Sequence, residues 1–314
     1  LVGGLFMVSQ IRGQGKIKEI DLPEGVVNSI SGNSKGNVLI GQKARHTVIC
    51  QDSVQSYISN PIKVMVGLQK ENGPIIRRVY LNETDQQFIM SNLGLTIKSG
   101  RETLYYPNPV YDIEFNENGD IWIATGALIK TNMPQLRAIN KMVYSQPAVN
   151  NTFSKVYLKK DRIYSLCWNE QANSLLIGKG NGLSVLENDT IKDLSGIHKS
   201  LNSRITDIVR VKEDNSFWLT TNGMGILHLD SSLKPIHYLT QADGLGSNIC
   251  NKMYIDDHQV LWIATNNGLS SVVLQEDNPV VTTLSTTDGL ISRIVKDVFV
   301  NKKGIWIATD KGLS

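Results

Sequence analysis

The chain of 314 residues has no stretch that approaches about 18 consecutive apolar residues, so nothing in it reads as a helix that spans a bilayer. It has no block of five or more Lys or Arg, and 32 basic residues against 29 acidic ones leave a formal net charge of only +3. That balance gives no electrostatic footprint for nucleic acid or for an anionic membrane surface. Cysteine is scarce. Cys50, Cys167 and Cys250 show no Cys-x-x-Cys spacing and leave an odd one over, which fits small buried hydrophobes better than a disulfide framework or a zinc site. The apolar start, LVGGLFMVSQ, lacks the basic flank and small-residue cleavage site of a secretory leader. No window of a dozen residues shows a clear helical period, so an all-β chain is expected.

A short phrase recurs instead. Residues 243–269 read DGLGSNICNKMYIDDHQVLWIATNNGL, and residues 288–313 read DGLISRIVKDVFVNKKGIWIATDKGL. Weaker copies lie at 205–227 and 112–125. With the Trp of the phrase as a ruler, the marks are Leu39, Phe88, Trp122, Leu176, Trp218, Trp262 and Trp306, at separations of 49, 34, 54, 42, 44 and 44. That period suits a four-stranded propeller blade. Length alone would suggest about two domains, but a closed radial array counts as one. The expected fold is therefore a seven-bladed β-propeller of four-stranded antiparallel blades, one domain over residues 1–314.

Within a repeat, the first strand alternates (249–254 or 294–299), a polar turn follows, and the second strand carries Trp-Ile-Ala-Thr. The third opens with Gly-Leu, and a variable fourth (236–240) ends at Asp-Gly-Leu. Residues 4–8 match a third strand and 16–21 a fourth, so residues 1–21 are expected to complete the last blade and remove its open edge. The chain opens without Met and stops in mid-repeat at KGLS, and so reads as a piece of something longer. Residues 60–82 and 134–160 carry the extra length of the two long intervals and are expected to be loops.

No catalytic residue, metal site or cofactor is expected. Gly178-Lys179-Gly180-Asn181-Gly182 resembles a phosphate loop only until it is aligned with the turns between second and third strands. The five histidines occupy unrelated repeat positions without ligand spacing. A recurring polar position nine to eleven residues before the Trp mark is more informative: Ser29, Asp112, Ser165, Asp207, Asn251 and Asp297. It reads as hydrogen bonding between blades near the channel, or as a polar ring that binds a ligand or ion. On the face with the fourth-to-first-strand loops and the second-to-third turns, Tyr105, Tyr106, Arg204, Asn248, Asn267 and Arg293 are the candidate ligand-binding residues. Aromatic plates flanked by amides and charges suit sugars or a protein partner.

Asp243-Gly244-Leu245 with Ser247-Asn248 and Leu261–Thr265, and Asp288-Gly289-Leu290 with Ile305–Thr309, resemble the two-component regulator propeller repeat. The resemblance is specific over about residues 200–314 and weak over 1–105, where Asp-Gly-Leu is missing. It implies a non-catalytic sensing module in the periplasmic ectodomain of a hybrid two-component sensor kinase, responding to glycan fragments. It further implies a neighbouring propeller and a β-sandwich in the same chain, and a homodimer in the full-length form. A structural propeller of a cell-surface or secretion assembly is the alternative, with a propeller lyase or hydrolase behind it.

Overall fold

The computed structural model describes residue 22 and residues 26–43, 45–50, 53–58, 74–145, 155–159, 161–274 and 279–314. They form a seven-bladed β-propeller. The innermost strands are Val27–Gly32, Ile76–Leu81, Asp112–Phe115, Ile163–Asn169, Ile205–Arg210, Cys250–Ile255 and Val295–Asn301, in blades 1 to 7. Each of the first six blades has four antiparallel strands in sequential order, and blade 7 shows three among the described residues. The expected completion of blade 7 by residues 1–21 lies outside them.

All seven repeat marks fall on second strands. Each stands two residues before the partner of one equivalent innermost-strand residue, as in the pairs Ser29–Gly41, Arg78–Met90, Asp207–Thr220 and Lys252–Ala264. Blade faces pack on blade faces, and a hydrophobic cluster fills each of the seven junctions. The cluster between blades 7 and 1 joins Phe299, Ala308 and Leu313 to Val27, Ile30 and Val38 and closes the ring. Trp262, fully buried, donates from Nε1 to Asp256 Oδ2 at 2.8 Å. The other oxygen of Asp256 accepts the His258 and Val260 N–H groups, so one side chain sets the hairpin turn and satisfies the indole.

The Asp-Gly-Leu phrase is a capped 3-10 turn. Thr240 with Asp243, and Ser285 with Asp288, form reciprocal capping boxes; Gly244 and Gly289 follow in the left-handed region, and Leu245 and Leu290 are buried at the junctions. The glycine that opens the third strand is needed for space as well. Gly268 has φ +109, and a Cβ there would meet the Leu284 carbonyl oxygen at 2.3 Å.

Two expectations are corrected. Residues 134–160 are not simply a loop. Met133–Ser145 is a helix, entered through the Asn132 Oδ1 bond to the Gln135 N–H, and Lys155–Tyr157 is the outermost strand of blade 3. The helix buries Leu136 and Ile139 against the blade 2–3 cluster, pairs Arg137 with Glu102, and covers the outer edge strand of blade 2. Its buried stripe is too short to show as a period. Within 60–82, Ile76–Leu81 is the innermost strand of blade 2.

Trp262→Ala is expected to cost about 3–5 kcal/mol in urea unfolding through the cavity it opens. A loss below about 1 kcal/mol would contradict the burial of this repeat position.

Candidate functional site

The seven equivalent innermost-strand residues are Ser29, Arg78, Asp112, Ser165, Asp207, Lys252 and Asp297. The polar position was placed correctly in five blades, missed in blade 2, and set one residue early at Asn251 in blade 6. Asn251 sits in a bulge beside the true position, Lys252.

This layer stitches the blades together. Asp297 Oδ2 accepts from the Ile30 N–H (3.0 Å) and Ser29 Oγ (2.7 Å). Ser29 Oγ accepts the Val79 N–H at 3.1 Å, Asp112 the Leu166 N–H at 2.9 Å, and Asp207 the Met253 N–H at 3.0 Å. Ser165 Oγ donates to the Ile205 carbonyl at 3.5 Å, and Asn251 Nδ2 to the Val295 carbonyl at 2.6 Å. The seventh junction is ionic: Arg78 Nη1 lies 2.7 Å from Asp112 and also 3.2 Å from Asp207, three blades away. Lys252 reaches Asp207 at 3.2 Å.

Burial works against every charge in the cluster, and the partners decide the outcome. It pulls the Arg78 pKa down, but Asp112, Asp207, Asp297 and Glu114 reverse that and hold the guanidinium ionised. Burial raises the pKa of Asp112 and of Asp297 despite Arg78 and Lys252. At Asp207 the two cations outweigh burial, and its pKa is lowered. Two residues beyond Asp112, partly buried Glu114 is pushed up to about 7 by burial and by Asp112, against the Phe115 N–H it accepts.

Of the candidate ligand residues, Arg204, Asn248, Asn267 and Arg293 lie in loops joined by backbone bonds across blades 5 to 7, whereas Tyr105 and Tyr106 belong to blade 2. Tyr105 and Tyr106 lie in the outermost strand of blade 2 and are 7% and 4% exposed, so their rings are packed rather than displayed. The Tyr105 hydroxyl donates to the Leu93 carbonyl, and the Tyr106 oxygen accepts from Asn108. Asn248 Oδ1 holds the Gln241 N–H within its own loop, and Asn267 Nδ2 donates across to the Gly246 carbonyl of that same loop, so both amides are engaged. Arg204 and Arg293 are exposed, and the Arg204 guanidinium carbon stands 4.6 Å over the Tyr164 ring. Burial pushes His46 down to about 3 and His228 to about 4, and His228 stacks on Trp218 at 4.2 Å. Among the described residues no group of three or more His, Cys, Asp or Glu is arranged to hold a metal ion.

No family model matches the chain. No curated protein matches it either. Among solved structures, it superposes on the extracellular domain of a protein from B. thetaiotaomicron described as a hybrid two-component system, with TM-score 0.68 and 16% identity over 93% of this chain. It spans 40% of that ectodomain's length. The WD40 propeller domain of Doa1 matches with TM-score 0.67 and 12% identity, over 94% of this chain and 93% of that one. A chain of the mitotic checkpoint complex gives 0.65 and 10%, over 94% and 96%. At these identities the likeness establishes the propeller fold.

Arg78→Met is expected to destabilise the protein by about 3–5 kcal/mol at neutral pH, because it leaves buried carboxylates short of a cation. The loss should shrink at low pH as those acids protonate; equal losses at both would remove the charge argument. Glu114 supplies a second check. Its folded form keeps a proton that the unfolded chain releases, so stability falls as pH rises between about 4.5 and 7. With its partial exposure, the fall is about 1–2 kcal/mol, and Glu114→Gln should flatten it in denaturation curves across that range.

Proposed function

We infer that this propeller is a non-catalytic sensing and interaction module from the extracytoplasmic, periplasmic part of a hybrid two-component sensor, responding to glycan fragments. The observation that carries the reading is the repeat itself. Two near-literal copies of Asp-Gly-Leu…Trp-Ile-Ala-Thr lie in a seven-bladed ring that superposes on part of an ectodomain of that kind. In such an arrangement this ring packs against a second propeller and a β-sandwich of the same chain, which dimerises.

A ligand would act by favouring one packing of the propeller against its neighbours, to the extent that its affinity differs between the two. The ring itself is shared, nearly as well and over the same share of the chain, with a WD40 domain, so the fold alone does not select the sensor over a second reading: a scaffold propeller of a surface assembly, without a kinase.

The sequence of the intact reading frame separates them. A second propeller, a membrane-spanning helix and a histidine kinase are expected downstream. A sorting domain or sandwich with no kinase would overturn the sensor reading and leave the scaffold. Where the kinase is present, a glycan-fragment screen by thermal shift on the whole ectodomain should return a stabilising oligosaccharide. A fragment present at 100 times its Kd raises stability by about 2.7 kcal/mol.

A further inference from the structure

Each repeat mark pairs with one residue of its innermost strand, two positions beyond the charged layer: Tyr80 with Phe88, Glu114 with Trp122, Tyr254 with Trp262 and Phe299 with Trp306. Blades 1, 4 and 5 place the smaller Ser31, Cys167 and Val209 there. Arg78 reaches Asp207, three blades away, at 3.2 Å, so side chains of the charged layer turn toward the axis. Two residues further along a strand, side chains leave from the same side of the backbone. These positions therefore surround the channel at one level, at the end where first and second strands join in hairpins.

Tyrosine rings and one carboxylate mark that level. Tyr80 is 40% exposed, and its ring stands 5.7 Å from both Phe88 and Phe115. Tyr254 is half-buried and is braced edge-on by buried Phe299 at 5.2 Å. Although they belong to blades 2 and 6, the two tyrosines share a neighbour. Burial, then Glu114 and Glu83, raise the Tyr80 pKa; burial, then Asp257, Asp256 and Glu83, raise that of Tyr254. Glu83 accepts the Ser34 N–H of blade 1 at 3.2 Å, and from there its charge reaches both hydroxyls.

The channel is short of positive charge. Asp112, Asp207, Asp297 and Glu114 line it against Arg78 and Lys252 alone, since the bulged Arg77 and Lys296 precede the charged layer and belong to the opposite mouth. Around the rim, the first hairpins of blades 2 to 6 (82–86, 116–119, 170–173, 211–216 and 256–259) hold eight acidic residues against one lysine, Lys212. Lys35, Lys302 and Lys303 lie in those of blades 1 and 7. Aromatic rings beside a carboxylate attract an organic cation, and an acidic rim raises its local concentration.

We propose that the hairpin-side mouth of the channel is an organic-cation site, in which Tyr80 and Tyr254 flank an ammonium or guanidinium group and Glu114 balances its charge. A small amine and the lysine or arginine side chain of a protein partner share that chemistry. The site does not depend on the sensor reading, since a scaffold propeller would carry it equally. Around Glu114 stand Asp112 on its own strand, Arg78 and Tyr80 of blade 2, and Cys167 of blade 4. Burial pushes its carboxyl up to about 7, so cation binding strengthens as rising pH removes that proton.

The test is isothermal titration calorimetry on the full chain at low ionic strength. Its probes are butylammonium and butylguanidinium, with n-butanol as the uncharged control, and the blocked tripeptide Gly-Lys-Gly, with norleucine in place of lysine as its control. Cation binding about tenfold tighter at about pH 8 than at about pH 6 is expected, and E114Q should remove that difference. Y80L should weaken binding about threefold to tenfold, the loss of one cation–π contact. Tyr80 is exposed, so Y80L carries the test even where E114Q fails to fold. Tighter binding of the peptide assigns the site to a partner's basic side chain, and binding of the free cations as tightly or more so assigns it to a small amine; both uphold it. No cation binding at about 50 mM, affinity unchanged in Y80L, or equal binding of the uncharged controls would overturn it.

Discussion

The ring depends on one bond repeated around its axis: a side-chain oxygen on the innermost strand of one blade takes a backbone N–H from the innermost strand of the next. An innermost strand is an edge strand. One side pairs with the second strand, and the other faces a channel too narrow to admit a further strand. The Ile30, Val79, Leu166 and Met253 N–H groups would be orphaned there, at a cost comparable to a lost hydrogen bond each. Asp297, Ser29, Asp112 and Asp207 satisfy them from the preceding blade. The same side chains that rescue these edges therefore fix four of the seven junctions, and donors to carbonyls and the Arg78–Asp112 ion pair fix the other three.

That solution brings three buried carboxylates to one place, and they require cations. Lys252 serves Asp207 from the adjacent blade, whereas Arg78 serves Asp112 and Asp207 together and so joins blades 2, 3 and 5. Blades that share no apolar junction are thereby coupled through charge. The interior of the channel is committed to this balance.

Blades 6 and 7 were the most legible because their repeats keep both the indole's acceptor and the capping box. Trp262 keeps the acceptor Asp256, and Asp243 keeps its capping partner Thr240. In blades 1 and 2, Leu39 and Phe88 hold the Trp place by bulk alone, which a volume-filling junction tolerates and a motif search does not. The polar position was visible as recurring Asp and Ser, but its register was not. First-strand hairpins differ by a residue or two in length, so a count back from the Trp mark drifts across the bulge and lands on Asn251 instead of Lys252. Arg78 was missed because a basic residue breaks the pattern that it electrically completes. Tyr105 and Tyr106 misled for the opposite reason: two tyrosines before a proline-bounded turn suggest a displayed surface, yet the helix Met133–Ser145 and the blade 2–3 core cover them. That cover comes from a segment some 30 residues later in the chain, and local pattern carries no trace of it.

These energetics also limit how the ring can respond to a ligand. Separating two blades at the axis breaks a buried ion pair, at about 3–5 kcal/mol, and exposes part of an apolar junction as well. A ligand bound with millimolar affinity has about 4 kcal/mol in total, and only the part that differs between two conformations can shift their balance. Such a ligand cannot open the ring. Its influence has to pass through surface loops or through the packing of the whole propeller against any neighbouring domain, where surfaces are more polar and smaller free energies decide. A propeller braced by charge across its own axis is suited to that use, because it moves as one body and delivers a small difference in binding undiminished to whatever surface it rests on.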